Sequence, residues 1–341
     1  MFLLFLCVSC DTQNTETDID LPVLQGEPLV LRSGGEGLPD SATDFYGIHC
    51  IEHASGTPVA WNSPAVTLFN TEMKNLMGHI SGSYLVFDPA GDYRYPINDS
   101  LSVFVYYPYA ANTEPHSIAV ARQEKFEGAT KTADKYPDYI AGTKTLSVIG
   151  GIPEDPNQAT VPLRHLMARV RFQISNSGAD AIMLTRVRLT GIKWDGTINP
   201  IQNRSFFVPD GAAMPESLVL YEGFRVEGLE TEPQRIPVNP IYNYSDTEAS
   251  TSSYDKDYKY HILVPPLNET LLAGAKLEIE FNRYGNNYTI TVEMRQIKIN
   301  EWLSGNSYCY TIAFNTYSID YIDTTIEPWK EDIYTGAIDL Q

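Results

Sequence analysis

An all-β fold is predicted by three features of this sequence. Runs of alternating apolar and polar residues recur along it, helical periodicity is scarce, and the composition favours turns and sheet surfaces. Of 341 residues, 23 are Gly, 22 are Pro and 22 are Tyr. Gly and Pro punctuate turns, and Tyr suits the half-buried pleat of a sheet. An apolar content of 43% excludes a globally disordered chain. The length suits two domains, and short strands at turn-punctuated spacing read as β-sandwiches.

The elements follow in chain order. Met1-Phe-Leu-Leu-Phe-Leu-Cys-Val-Ser-Cys10 is an apolar run ending in small residues. It is shorter than the roughly 20 residues a bilayer span needs, and it reads as the end of a signal peptide. Val8-Ser9-Cys10 resembles a bacterial lipobox, with Cys7 in place of the usual Leu, so lipidation is expected at Cys10. No basic n-region precedes the run, so a start further upstream is expected. Asp11–Asp20 is polar, acidic and free of aromatics, a tether composition. Phe45, Gly47, His49 and Ile51 alternate as in a strand. Met73, Leu76, Met77 and Ile80 are spaced for one face of a short helix over 68–80. Leu101–Tyr107 is β-branched and aromatic, and Pro108 ends it.

Gly150–Asn157 reads as a linker. It divides the chain into a signal remnant and tether at 1–20, a first lobe at 21–157 and a second at 158–341. Val170–Ile174 alternates. Asn243–Asp257, rich in Ser, Thr and Asp, reads as an exposed excursion. Leu277–Phe281 and Tyr288–Val292 flank Arg283-Tyr-Gly-Asn-Asn287, a hairpin in which Gly and Asn are expected to supply the positive φ angles. Tyr308–Phe314 is a further strand.

Charge and motifs exclude most chemistry. With 24 Lys and Arg against 43 Asp and Glu, the net charge is −19, which opposes nucleic acid and anionic membrane surfaces as partners. His49-Cys-Ile-Glu-His53 matches an inverted zinc-protease signature, which needs a helix; in a strand the two His share a face and Glu52 points away. His165, alone in its neighbourhood, reads as a packed or hydrogen-bonded histidine. Asp88, Asp92, Asp255 and Asp257 read as turn carboxylates, and nothing pairs them for glycoside hydrolysis. No nucleophile elbow, phosphate loop or C-x-x-C occurs. No catalytic residue, cofactor or metal is therefore expected. Cys50 and Cys309, each in a strand-like segment, fit a disulfide or two buried thiols equally well.

Several motifs line up in order: the lipobox Cys10 and acidic tether, Pro28-Leu-Val-Leu31 followed by Arg32, Val103-Phe-Val-Tyr-Tyr-Pro-Tyr109, Val161–Phe172, Tyr260-His-Ile-Leu-Val-Pro-Pro266, Gly305–Tyr310 and Ile326-Glu-Pro-Trp329. Together they resemble the fimbrillin-like proteins of Bacteroidetes, the subunits of lipoprotein-derived surface pili. The resemblance implies two transthyretin-like β-sandwich lobes in tandem. It implies export to the outer membrane with a lipid anchor, and a fimbrial subunit or adhesin that is not an enzyme. Its expected partners are other fimbrial subunits and a host or bacterial surface ligand. In such proteins a protease removes the N-terminal strand after an Arg, and a donor strand of the next subunit fills the groove. Arg32, the only Lys or Arg among the first 73 residues, is the candidate cleavage point. The stretch Ser33–Ser41 reads as an exposed loop that suits proteolysis. The uncleaved segment Leu21–Leu31 would protect the groove. The chain ends at Gln341, soon after Trp329, which leaves stalk, tip and anchor roles open. The rival is a surface glycan-binding lipoprotein with Trp61, Trp194, Trp302 or Trp329 exposed as stacking platforms.

Overall fold

A computed structural model describes residues 26–35, 38–57, 59, 61, 73–120, 138–155, 159–176, 182–202, 206–211, 216–222, 234–236, 261–294, 299–314 and 319–328. Cys10, the tether, the 243–257 excursion, Asp255, Asp257 and Trp329 lie outside them. The fold is all-β, 55% strand and 4% helix.

The first half holds β1 (Leu31–Gly34), β2 (Tyr46–His53), β3 (Leu76–Ser81), β4 (Tyr84–Asp88), β5 (Asn98–Tyr107), β6 (Ile118–Val120), β7 (Ile140–Ile149) and β8 (Ile152–Pro153). Then come β9 (Thr160–Pro162), β10 (Arg164–His165), β11 (Ala168–Asn176), β12 (Ile182–Ile192), β13 (Gly196–Ile198), β14 (Phe207–Pro209), β15 (Glu216–Glu222), β16 (Gln234–Ile236) and β17 (His261–Val264). The helix α1 (Glu269–Leu272) precedes β18 (Lys276–Arg283), β19 (Asn286–Glu293), β20 (Asn306–Phe314) and β21 (Ile319–Pro328). Asn268 caps α1, its Oδ1 accepting from the Leu271 amide at 3.0 Å.

Nine strands form the first sheet, in the order β10-β7-β5-β2-β3-β4-β1-β9, with β8 paired to β7. Its two ends meet in one run of chain. Residues 160–162 pair in parallel with β1, and residues 164–165 pair antiparallel with β7. One short segment thus bridges both ends and closes the sheet. The approach is close: a Cβ on Gly142 of β7 would lie 2.2 Å from the Pro162 carbonyl oxygen. The boundary expected between residues 157 and 158 precedes this segment, so the first sheet runs on to His165. The reason is nonlocal pairing, which linker composition does not report.

The helix expected over 68–80 is not formed at its C-terminal end. Leu76–Ser81 is strand β3, between β2 and β4. Leu76, Gly78 and Ile80 also alternate at period two. A Cβ at 78 would stand 2.7 Å from the Val86 carbonyl oxygen, so the glycine lets β4 approach. Pairing on both sides overrides the helical spacing.

In the second half, β17-β11-β20-β21 form one sheet and β15-β12-β18-β19 another, with β16 also on β12. The β18–β19 hairpin forms as expected, but its positive φ angles fall on Tyr284 (53°) and Gly285 (79°) rather than on Asn. The Asn282 side chain accepts from the Gly285 amide at 3.2 Å, which steadies that turn. A third small sheet, β14-β13-β6, joins a strand of the first half to two of the second.

Two cores result. Tyr46, Ile48, Cys50, Leu101, Val103 and Val161 pack inside the first sheet. Leu184, Val187, Leu277, Ile279, Tyr308 and Phe314 fill the second half, and this core continues onto Phe104, Tyr106 and Ala141 of the first sheet.

Candidate functional site around strand β1

The sequence motif Pro28-Leu-Val-Leu-Arg32 lies on an extended run, residues 26–34, that is tied down along its whole length. Gly26 admits no side chain, since a Cβ there would lie 2.1 Å from the Tyr95 carbonyl oxygen. The Glu27 amide donates to the Gly151 carbonyl at 2.9 Å, and its own carbonyl accepts from the Tyr95 amide at 3.0 Å. The Leu29 amide donates to the Tyr93 carbonyl at 2.8 Å. The Tyr95 hydroxyl donates to the Val30 carbonyl at 2.7 Å, and burial raises its pKa, which keeps it a donor. Arg94 Nη1 donates to the Gly26 carbonyl at 3.2 Å.

Beyond Val30 the run becomes β1, a single stave between two others. Leu31 and Arg32 pair antiparallel with Leu85 and Tyr84 of β4. Arg32, Ser33 and Gly34 pair in parallel with Thr160, Val161 and Pro162 of β9. The Ser33 amide reaches the Ser83 carbonyl at 3.0 Å, and the Leu163 amide reaches the Gly34 carbonyl at 2.6 Å. Alternation does the rest. Leu29 and Leu31 enter the first core, at 7% and 1% exposure, while Val30 stays 47% exposed. Burying two Leu contributes about 3–6 kcal/mol before entropy is counted. On the outer face the Arg32 guanidinium lies over the Tyr84 ring, 5.3 Å from its centroid. Beside Val30 a recess of about 270 Å³ is lined by Tyr84, Val86, Phe87, Ala90 and Gly91.

This corrects the exposed-loop reading of Ser33–Ser41 at its start: Arg32, Ser33 and Gly34 are half-buried strand residues. Gly34 serves close packing, its missing Cβ leaving room for the Thr160 methyl at 2.7 Å, and not a turn. Tyr95, Arg94 and β9 were not legible as partners of this run, because each lies some 60 or more residues away in sequence.

The other residues singled out by sequence make contacts within the fold. His49 is buried against Phe104 and Tyr106, its Nδ1 accepting from the Asn75 amide at 3.3 Å, and burial lowers its pKa to about 4. His53 Nε2 sits 2.9 Å from the Ser102 hydroxyl. Among the described residues no three His, Cys, Asp or Glu side chains gather as metal ligands. His165 Nδ1, buried on β10, lies 2.6 Å from Oδ2 of the half-buried Asp138, which precedes β7. Asp92 pairs with Arg94 at 2.9 Å. Cys50 is a free, fully buried thiol, so it forms no bridge with Cys309. Trp194 and Trp302 are buried, and Trp302 Nε1 donates to the Tyr310 hydroxyl at 2.6 Å. Trp61 packs against the second core. None of these three Trp is an exposed stacking platform.

Residues 59–329 match the family model described as fimbrillin-like. The chain belongs to the fimbrillin-like family. Two solved structures, with TM-scores above 0.5, agree on the fold. A putative cell adhesion protein from Bacteroides uniformis ATCC 8492 superposes with a TM-score of 0.52 at 14% identity, over 89% of this chain and 98% of that one. Another, from Bacteroides ovatus ATCC 8483, gives a TM-score of 0.53 at 16% identity over 90% and 99%. The C-terminally truncated tip fimbrial protein Mfa3 from Porphyromonas gingivalis gives 0.45 at 10% identity over 88% and 98%. No curated protein matches the chain significantly. Fimbrillin-like proteins are structural fimbrial and adhesion proteins.

Proposed function

We propose that this protein is a subunit of a surface fimbrium, joined to its neighbours by β-strand addition at the site of β1, and that it is not an enzyme. The observation that carries the reading is the position of β1: a four-residue stave bonded on both edges within an otherwise closed sheet. Its removal leaves two facing strand edges, those of β4 and β9, and the pockets of Leu29 and Leu31. A strand from another subunit supplies the same main-chain bonds and fills the same pockets. In this scheme Cys10 carries the lipid that holds the exported chain at the outer membrane. Cleavage after Arg32 removes both Leu anchors and leaves Ser33 and Gly34 behind. Arg32 is held in the sheet, so cutting requires β1 to lift first.

The test starts from protein beginning at Asp11, treated with trypsin and followed by mass spectrometry and size exclusion. Cleavage after Arg32 followed by a ladder of oligomers is expected, with neither seen for Arg32→Ala. Arg32-cleaved protein that stays a stable monomer at high concentration refutes polymerisation through this groove.

A further inference from the structure

The two walls of the β1 groove are held in different ways. On one side, β4 pairs with β3 along its whole length, from Tyr84 to Asp88, and so keeps a ladder whether or not β1 is in place. On the other side, β9 has no such neighbour. Among the described residues its ladder is with β1 alone, through Arg32, Ser33 and Gly34. Pro162, at its end, has no amide to offer. Fixing each residue of a strand costs about 1–2 kcal/mol of backbone entropy. A three-residue strand that loses its one ladder therefore needs other contacts to stay extended.

Those contacts lie just C-terminal to it. Along 159–165 the side chains alternate: Ala159, Val161, Leu163 and His165 are buried, whereas Pro162 and Arg164 are exposed. Arg164 Nη2 donates to the Pro200 and Gln202 carbonyls, 3.0 Å each, in the second half of the chain. His165 Nδ1 stands 2.6 Å from Asp138 Oδ2. The carboxylate accepts there, so a ring proton sits on Nδ1. The Leu166 amide donates to the Tyr139 carbonyl at 2.6 Å, and the Met167 carbonyl accepts from the Gly305 amide at 2.9 Å. None of these bonds involves β1, and all are made within five residues of Pro162.

We propose that Arg164 and His165 are positioning residues for the groove: they hold β9 from its C-terminal side, so that the groove keeps its shape while β1 is lifted and can take a strand back. Together with the proposed function, on which this rests, the groove is preorganised, and the seam with the second half of the chain preorganises it rather than β1. A site ordered in advance spares its ligand the cost of ordering it. When only a fraction of lifted chains keeps β9 in place, capture of a strand falls by that fraction.

The test compares two rates in full chains carrying Leu31→Ala, which weakens the native β1 by removing a buried anchor. One is the initial rate of tryptic cleavage after Arg32, which reports how often β1 lifts. The other is capture of a synthetic Gly26–Gly34 peptide of native sequence with an N-terminal fluorophore, read by anisotropy. Capture needs β1 lifted and the groove intact. Adding Arg164→Ala or His165→Ala is expected to leave cleavage unchanged or faster and to slow capture about tenfold, the equivalent of about 1.4 kcal/mol. His165→Asn keeps an N–H in the place of Nδ1 and is expected to restore capture. A residue that merely stabilises the fold moves both rates together. Arg164 is exposed, so its variant decides the matter where circular dichroism shows that His165→Ala has unfolded the chain. Cleavage and capture rising in parallel, capture unchanged in Arg164→Ala, or no capture by the Leu31→Ala chain overturns the proposal. Polymerisation is not read, so the expected pattern supports the proposal even where cleaved chains stay monomeric, the result that refutes the proposed function.

Discussion

Leu31→Ala probes whether β1 opens by itself. Leu31 is 1% exposed in the first core, anchored between β4 and β9. Truncating a buried Leu costs about 2.7–5 kcal/mol. The low end applies here, because a four-residue strand relaxes more readily than a central one. At 1.4 kcal/mol per tenfold, a loss of about 2.7 kcal/mol raises the population of chains with β1 lifted about 100-fold. Trypsin cuts the lifted form, and its rate follows that population when opening and closing are fast. Arg32 precedes every other Lys or Arg, the next being Lys74, so its cleavage releases an unambiguous fragment. The assay is the initial rate of that cut by mass spectrometry, against the rate at Arg188 on the central strand β12. A rise of about 100-fold at Arg32, with little change at Arg188, is expected. Equal acceleration at both sites means that β1 opens only with the whole molecule, and it refutes a detachable strand.

Three further outcomes are expected. Burial lowers the His49 pKa from 6.5 to about 4, so between those values the unfolded chain binds the extra proton. Stability falls as pH drops through this window, by on the order of 3 kcal/mol in full, and His49→Gln should flatten that part of a melting-temperature profile. Gly142→Ala places a methyl group against the Pro162 carbonyl at 2.2 Å and should cost about 1–3 kcal/mol in urea unfolding by overpacking. Burial pushes the Cys50 thiol well above its ordinary range, so alkylation at pH 8 should reach it only once the chain is unfolded.

What the sequence made legible was local. The strands at 101–107, 277–281, 288–292 and 308–314 follow from alternation and β-branching, and β5, β18, β19 and β20 contain them. The placement of His49 in a strand and the hydrogen bonding of His165 follow from strand context and isolation. The failures share one physical cause. Met73, Leu76, Met77 and Ile80 satisfy a helical spacing, but β2 and β4 pair with that chain from both sides. The glycines after Arg32 suggest a loop, whereas Gly34 admits Thr160 from β9. Parallel pairing of residues 32–34 with 160–162 leaves no local trace, because neither segment's pattern specifies its partner.

The shortness of β1 bears on how strand addition would acquire a direction. β1 pairs with only Leu85 and Tyr84 of β4, although β4 extends to Asp88. Val86–Asp88 has no described strand on that side, and the recess by Val30 sits there. A donor strand long enough to run the length of β4 adds main-chain bonds and covers Tyr84 and Val86, which are 43% and 37% exposed. Each added hydrogen bond is worth about 0.5–1.5 kcal/mol net, and each apolar side chain gains with the area it buries. Under the proposed function, the native segment is therefore the weaker of two ligands for one groove. Its attachment to the same chain compensates through effective concentration. Cleavage after Arg32 ends that advantage, and the longer strand then wins. A peptide matching Gly26–Arg32, added in trans to cleaved protein, should accordingly be displaced by a longer donor strand. A cleaved subunit that holds the short peptide more tightly than any donor would rule this mechanism out.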